Sequence, residues 1–392
     1  MSVDGKGTGA READSVLLYY HYVNLEGKLE ATKDQQQVWC KELDLMGRIR
    51  ITPEGLNGTL DGTDNNLRQY TERMDATYGN NLIDWKWAAY PERCTRRFIS
   101  VSVKIKDEVV GMVLSEEDRK KMLEAPAAKH LSAEEWHEAL EQASKDDNTV
   151  LLDVRNYYET RVGRFIYGGD DKAEPKEAVD PFTRSFSDFK YFADREAEGY
   201  KDKKVLMYCT GGVRCERASQ YLKSKGVSNV YQLYGGIHAY QERFPRGFFK
   251  GKNFVYDPRV AVGAADVEAQ QSRKGKGVQV EGERGCELPR ALGQLWSWVF
   301  PEEKAGEEEG GQREEMEMEV VGRCMLCSSP HDEYHSPYDK GAQAQTRCSY
   351  CRVLCLVCPS CKSDPLEAER ITSLQCEMCR AQGRGAVNTE TD

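Results

Sequence analysis

The sequence predicts a multidomain protein of mixed α/β and α+β class, ending in a small cysteine-rich metal-binding module. Three observations carry this. Strand-like and helix-like segments alternate in two separate blocks, at residues 16–110 and 128–262. The stretch "VLMYCTGGVRCERASQYL" (205–222) runs an apolar strand through a glycine loop into a helix. Nine of the fourteen cysteines crowd between Cys324 and Cys379. A chain of 392 residues holds two or three domains at roughly 100–200 residues each.

The first block opens with "VLLYYHYVNL", rich in β-branched and aromatic residues as a strand is. "KDQQQVWCKELDLMG" reads as a helix stopped by Gly47, and "RIRITPEGLNGTLDG" as two strands around a Pro-Glu-Gly turn. "DNNLRQYTERMDATYG" is a second helix, with Asp64 as N-cap and Gly79 as its stop. "IDWKWAAY" and "FISVSVKI" return to strand. The order strand–helix–strand–strand–helix–strand is the split βαβ, ferredoxin-like pattern, expected over 16–110.

A helical connector is expected over 115–130. "LSAEEWHEAL" then starts a helix with Ser132 and Glu135 spaced as a capping box. The apolar runs "TVLLDVRN" and "KVLMYC" are buried strands, "CERASQYLKSKG" is a helix ending at Gly226, and "NVYQLYGG" and "IHAYQERF" add a third strand and helix. Such alternation implies a parallel sheet covered on both faces.

From 263 to 320 the pattern dissolves into a segment expected to be a disordered acidic linker, with Trp296 and Trp298 as its only apolar anchor. Residues 301–320 hold nine glutamates against one lysine and one arginine, and so account for most of the net charge of −10. Charge of that sign excludes a protein that coats nucleic acid over its whole surface, yet leaves room for a local basic patch. Arg93, Arg96 and Arg97, interleaved with Tyr90 and Phe98, form one candidate for single-stranded RNA. A charged hairpin on a solvated face is the plainer alternative. No run of eighteen apolar residues occurs, and the first fifteen residues lack the apolar core of a secretory signal. A cytoplasmic protein without a membrane partner is therefore expected. In a reducing compartment the cysteines point to metal or to chemistry.

The loop Cys209-Thr210-Gly211-Gly212-Val213-Arg214 leaves a buried strand and enters a helix. Strand ends of open α/β sheets are where ligands bind. The glycines let backbone N–H groups converge on an anion, the helix N-terminus points its positive end there, and Arg214 adds a permanent charge. These features together lower the pKa of Cys209 and hold a nucleophilic thiolate. Cys215 opens the helix as either a resolving thiol or a packing residue. Asp153 and Arg155 end the neighbouring strand, where they either orient the site wall or form a structural ion pair.

Four residues separate Cys209 from Arg214, one fewer than in the loop of cysteine phosphatases. The tighter ring suits a sulfur carried on the cysteine, and the segment resembles the rhodanese superfamily. "LLDVRNYYE" (151–159) and "LYGGIHAY" (233–240) are similar to that superfamily's Asp-Val-Arg…Glu and Gly-Gly-helix segments. "YCTGGVRCERAS", "YYHYVNL", "ITPEGLNGTLDG" and "NFVYDPRVAV" resemble, more narrowly, the tRNA uridine hydroxylases, which make 5-hydroxyuridine at the wobble position. The resemblance spans roughly 16–262 and the cysteine-rich tail. It implies Cys209 as the active cysteine, Arg214 as its loop arginine, Cys215 as the family's second cysteine, and tRNA and a small-molecule sulfur or oxygen donor as partners. Gly163-Arg164 stands where rhodaneses have a Gly-His segment, so Arg164 is a candidate anion contact in its place. His238 is expected to be an ordinary helix residue. General sulfur transfer through a cysteine persulfide, and a non-enzymatic metal-containing adaptor, are the competing functions.

The tail carries four Cys-x2-Cys clamps: Cys324/Cys327, Cys348/Cys351, Cys358/Cys361 and Cys376/Cys379. Two clamps complete one tetrahedral thiolate site, so eight cysteines over 321–382 predict two structural zinc ions, with Cys355 left over and an iron–sulfur cluster as the rival. Spacing does not decide whether the clamps pair first with second or first with third. His331 and His335 are read as loop residues rather than ligands.

Overall fold

The computed structural model describes residues 15–80, 82–89, 98–169, 174–254, 261–276, 320–334 and 345–383. The expectations for Arg93, Arg96 and Arg97, for Trp296 and Trp298, and for His335 lie outside these residues.

The N-terminal unit contains β1 (Ser15–Tyr22), α1 (Leu29–Glu42), β2 (Met46–Thr52), β3 (Gly55–Gly62), α2 (Asp64–Tyr78), β4 (Lys86–Ala89) and β5 (Val101–Ile105). Its sheet runs β4-β1-β3-β2-β5, antiparallel except that β5 lies parallel to β2. The first six elements have the expected split βαβ order. Leu17 and Tyr19 of β1, Ile51 of β2 and Leu56 and Leu60 of β3 are completely buried beneath α1 and α2. Tyr19, Tyr70 and Gln36 satisfy one another inside this core through two 2.5 Å hydrogen bonds. Two expected boundaries move. The first helix ends at Glu42, five residues before Gly47, because Leu43 and Leu45 turn into the core around Asp44 at φ 47°. Thr63, not Asp64, caps α2, its side chain accepting from the Asn66 N–H.

The central unit follows with α3 (Glu116–Glu124), β6 (Lys129–Leu131), α4 (Ala133–Ala143), β7 (Thr149–Asp153), α5 (Tyr157–Thr160), β8 (Gly163–Tyr167), β9 (Lys176–Glu177), α6 (Phe189–Tyr200), β10 (Lys204–Tyr208), α7 (Val213–Ser224), β11 (Val230–Leu233) and α8 (Gly236–Arg243). A parallel sheet of order β6-β11-β10-β7 forms its centre. Side chains alternate across it: Val205 and Met207 face Phe189, Phe192 and Leu222, while Leu206 and Tyr208 face Trp136, Leu140 and Tyr240. Ser132 and Glu135 form the expected capping box of α4. The edge strand β6 straddles the end of the expected helical connector, and three residues of β-pairing leave too little periodicity to read. Three short elements complete this region: β12 (Phe249–Gly251), which joins β8 and β9 in a second sheet, and the pair β13 (Asn253–Phe254) and β14 (Ala261–Val262). The segment expected to be a disordered linker opens instead with a helix, α9 (Ala264–Lys276). Val267 is buried there, and Gln270 donates to the Ala89 carbonyl of β4 at 3.1 Å, so tertiary contacts order what composition alone suggests is loose.

The cysteine-rich unit adds α10 (Pro359–Ser363), α11 (Ala368–Thr372) and α12 (Glu377–Ala381). It docks on the central unit through the buried Lys252–Asp332 pair at 2.8 Å, the Arg161–Glu377 pair at 3.2 Å and the stacked rings of Phe254 and Tyr334. The N-terminal sheet docks on α7 and α8. There Arg217 of α7 pairs with Glu54 at 2.5 Å and covers the ring of Tyr22. Among the described residues no helix is long and apolar enough to cross a membrane.

The turn from β11 into α8 presses directly on the end of β10. Gly235 and Gly236 both have φ near +66°, and a Cβ on Gly236 would lie 2.5 Å from the Cys209 carbonyl oxygen and 2.7 Å from the Gly211 nitrogen. Gly236→Ala combines left-handed strain with a backbone collision, so it is expected to destabilise the protein by about 2–3 kcal/mol. A chemical-denaturation midpoint equal to that of the wild type would contradict this packing.

Candidate active site and metal centres

The end of β10 places Cys209 at the centre of the sheet, with no exposure to solvent. Gly212 sits at φ 93°, a conformation that glycine adopts freely, and this turns its N–H onto the Cys209 sulfur at 3.1 Å. α7 then starts at Val213, so the sulfur faces the positive end of that helix. Burial pushes the Cys209 thiol up, but a hydrogen bond from the Cys215 thiol, the Arg214 charge and the N–H groups of Cys215 and Arg214 outweigh it and bring Cys209 down to about 6. Cys215 moves the opposite way. Burial and the adjacent sulfur hold it well above the ordinary thiol range, so it stays protonated and donates to Cys209.

Arg214 is fixed by a residue that the sequence reading leaves without a role. Glu159 accepts from both terminal nitrogens of Arg214, at 2.7 and 2.9 Å, and from Thr210 Oγ1 at 3.3 Å. Burial raises the Glu159 carboxyl, but Arg214 and Arg155 hold it below its usual range, so it remains charged. The available signal was the terminal glutamate of "LLDVRNYYE", at the third position of α5, where it also caps Asn156. Asp153 and Arg155 form a fully buried ion pair at 2.7 Å, with Asp153 also accepting from the Tyr208 hydroxyl and Arg155 donating to the Gly163 carbonyl. Their geometry is that of a structural brace between β7, β8 and β10, one layer behind the loop. Arg164 pairs bidentately with Glu177 at 2.8 Å, away from the loop.

The N-terminal unit covers the loop, a contact with no local sequence signal. Leu18 and Lys86 approach to 2.9 and 3.1 Å of a Cβ placed on Gly211, and the Tyr20 hydroxyl to 3.4 Å of one placed on Gly212. Lys86 is 3% exposed, pairs with Asp84 and lies over the Tyr20 ring at 4.9 Å. Burial lowers the Lys86 ammonium, against the opposing pull of Asp84, Cys209 and Glu216. His238, read as an ordinary helix residue, bonds the Trp87 carbonyl through Nε2 at 3.0 Å and so ties α8 to β4.

In the tail the clamps interleave. Cys324 and Cys327 meet Cys358 and Cys361, while Cys348 and Cys351 meet Cys376 and Cys379, and within each group the sulfurs lie within 4.8 Å of one another. First therefore pairs with third and second with fourth, the cross-brace alternative. Sulfur separations of 3.6, 3.7 and 3.9 Å match the edge of about 3.8 Å that a tetrahedron with metal–sulfur bonds of about 2.3 Å requires. Backbone N–H groups of Cys358 and Cys376 point at the sulfurs of Cys324 and Cys348 at 3.4 and 3.3 Å, where they steady negative charge on those sulfurs. Cys355 lies in neither group, buried with its thiol pushed up to about 12, and His331 is likewise outside both.

Because Cys209 is brought down to about 6, its rate of alkylation by iodoacetamide, whatever burial makes its absolute size, is expected to level off at pH 7 and above and to fall as pH drops through 6 and the sulfur takes up a proton. Cys215→Ala removes a donor to the thiolate and should move the midpoint upward. A Cys209 midpoint near the free-thiol value of about 8.5 would contradict this site geometry.

Comparison with known proteins agrees with this architecture. Residues 15–109 match the UPF0176 acylphosphatase-like domain, and residues 136–243 match the rhodanese-like domain. The chain is 34% identical to the Rhodanese-like domain-containing protein 6 of Arabidopsis thaliana, over 97% of this chain and 55% of that protein. It therefore spans little more than half the length of that relative, and the alignment takes in most of the cysteine-rich tail. The tRNA uridine(34) hydroxylase of Cytophaga hutchinsonii is 38% identical, over 62% of this chain and 71% of the relative. That of Wolbachia pipientis wMel is 32% identical, over 63% and 82%. With both folded blocks, the cysteine loop and this extent of shared sequence in hand, the chain belongs to the tRNA uridine(34) hydroxylase family.

Proposed function

We propose that the protein hydroxylates uridine 34 of tRNA, with Cys209 as the reactive thiolate, Arg214 as its counter-charge, Cys215 as hydrogen-bond donor to the sulfur, and Thr210, Gly211, Gly212 and Val213 as the cradle. The observation that carries this is the sulfur itself: fully buried yet brought down to about 6, in a chain whose relatives carry that activity in their names. Converting a ring C–H into C–OH removes two electrons from the base, so a small-molecule oxidant accompanies tRNA as co-substrate. General sulfur transfer uses the same thiolate, but gives no reason for an N-terminal unit packed over the loop. An adaptor gives no reason to keep the sulfur ionised. Asp153 and Arg155 support the loop by bracing the strands behind it. Phosphate contacts fall to the N-terminal unit, with Arg93, Arg96 and Arg97 as the candidates. The site of action is the cytoplasm.

The test is nucleoside mass spectrometry of tRNA from cells whose only copy carries Cys209→Ser. 5-Hydroxyuridine at the wobble position is expected to disappear, while tRNA still binds the purified variant. A normal level, with no second enzyme making the nucleoside, would refute the assignment and leave sulfur transfer as the better account.

Zinc fits both cysteine groups, because four thiolates at tetrahedral spacing suit a d10 ion. Zinc would cross-link the tail without redox chemistry, and the eight cysteines would hold it as thiolates. The tail has few apolar residues, so its fold depends on the ions. Elemental analysis is expected to give two zinc ions per chain, and Cys324→Ser to lower that toward one. Iron with its visible absorbance in place of zinc, or a Cys324→Ser protein that keeps both ions, would overturn this.

A further inference from the structure

Cys209 has no exposed surface, so a substrate base must reach it from a neighbouring space. A cleft of about 570 Å³ opens between the N-terminal sheet and the turn before α8, within the roughly 300–1,000 Å³ of small-ligand sites. Two other cavities, of about 30 and 160 Å³, are smaller than that range. The cleft adjoins the loop. Lys86 lines it, and its Cδ and Cε lie 3.1 and 3.3 Å from a Cβ placed on Gly211. Gly235 also lines it, with its nitrogen 3.7 Å from a Cβ placed on Gly212. One layer of atoms thus separates the cleft from the cradle of Cys209.

The walls indicate what the cleft takes. Trp85, Trp87 and Tyr234 supply three aromatic rings, and Tyr234, which meets the His130 ring edge-on at 5.9 Å, keeps 54% exposure beside the cleft. The two cations are engaged, Lys86 with Asp84 and Arg68 over the Trp87 ring at 5.5 Å. Asp64 and Glu242 also line it, with Glu242 3.8 Å from His238 Nδ1. Such walls offer a phosphate no net positive charge, whereas a neutral heterocycle can stack on the aromatic faces.

We propose that this cleft is the binding site for the unstacked nucleobase of the RNA substrate, with Tyr234 as its stacking platform and the sugar–phosphate backbone left outside. The inference rests on RNA being the substrate, and names the place where its target base is held. Tyr234 acts through stacking on the base, so it positions substrate and does not touch the sulfur.

The experiment uses the full chain and two anticodon stem-loop RNAs, one with uridine at the target position and one abasic there. The wild type is expected to favour the uridine RNA roughly tenfold, a stacked base being worth about that much or more in affinity. Uridine RNA, and not the abasic one, should quench the fluorescence of Trp85 and Trp87. Tyr234→Ala should bring the preference close to one, and Tyr234→Phe should keep it, since the ring and not the hydroxyl stacks. An alkylation midpoint of Cys209 kept near 6 in each variant reports that the loop is folded. A Tyr234→Ala protein that retains both the preference and the quenching overturns the cleft assignment, as does a wild type that binds both RNAs equally. A wild type that binds neither RNA overturns the RNA reading itself, and the cleft with it.

Discussion

A sulfur anion held in the completely buried centre of a protein is the constraint around which this molecule is arranged. Moving a charge out of water costs many kcal/mol unless fixed dipoles and counter-charges replace the lost hydration. Here the replacement is layered. The Gly212 N–H and the start of α7 supply dipoles, Cys215 supplies a proton to share, and Arg214 supplies the opposite charge. Arg214 is itself a buried charge, and Glu159 neutralises it in a two-pronged pair. Glu159 in turn is steadied by its cap to Asn156 and by the field of Arg155. Each charge is tolerated only because its partner in this series of contacts is already in place.

The same constraint explains the unequal fates of two thiols six residues apart. Cys209 gains more from Arg214, Cys215 and backbone N–H groups than it loses by burial. Cys215, equally buried, has a neighbouring negative sulfur as its main electrostatic partner and so keeps its proton. Ionising the second while the first is charged would place two anions in contact. The pair therefore works as one thiolate and one donor.

The parts of this design that depend on local backbone geometry were legible in the sequence. A strand, a glycine turn and a helix start put Cys209 and Arg214 on one loop, and the clamp spacing alone gathers each cysteine pair. What could not be read was contact between distant segments. Glu159 lies 55 residues before Arg214, and Lys86 reaches Gly211 from another folded unit. The interleaving of the clamps also depends on how the chain crosses itself between them. Misplaced details such as the end of α1 and the order in α9 share a cause: burial of Leu43, Leu45 and Val267 overrode the local preferences of the chain.

The short helix α5 links the two centres. Tyr157, its first residue, is packed among the cysteines of the tail, and Arg161, just after its end, pairs with Glu377 beside Cys376. Glu159, between them, holds Arg214. A helix of four residues is too short to be stable by its own hydrogen bonds, so its position is set by what packs on either side. Packing of the tail on Tyr157 and Arg161 therefore helps to fix α5, and through it the carboxylate that keeps the loop arginine in place. The cysteine-rich unit is continuous with the active site in this mechanical sense, although neither cysteine group shares a residue with the loop.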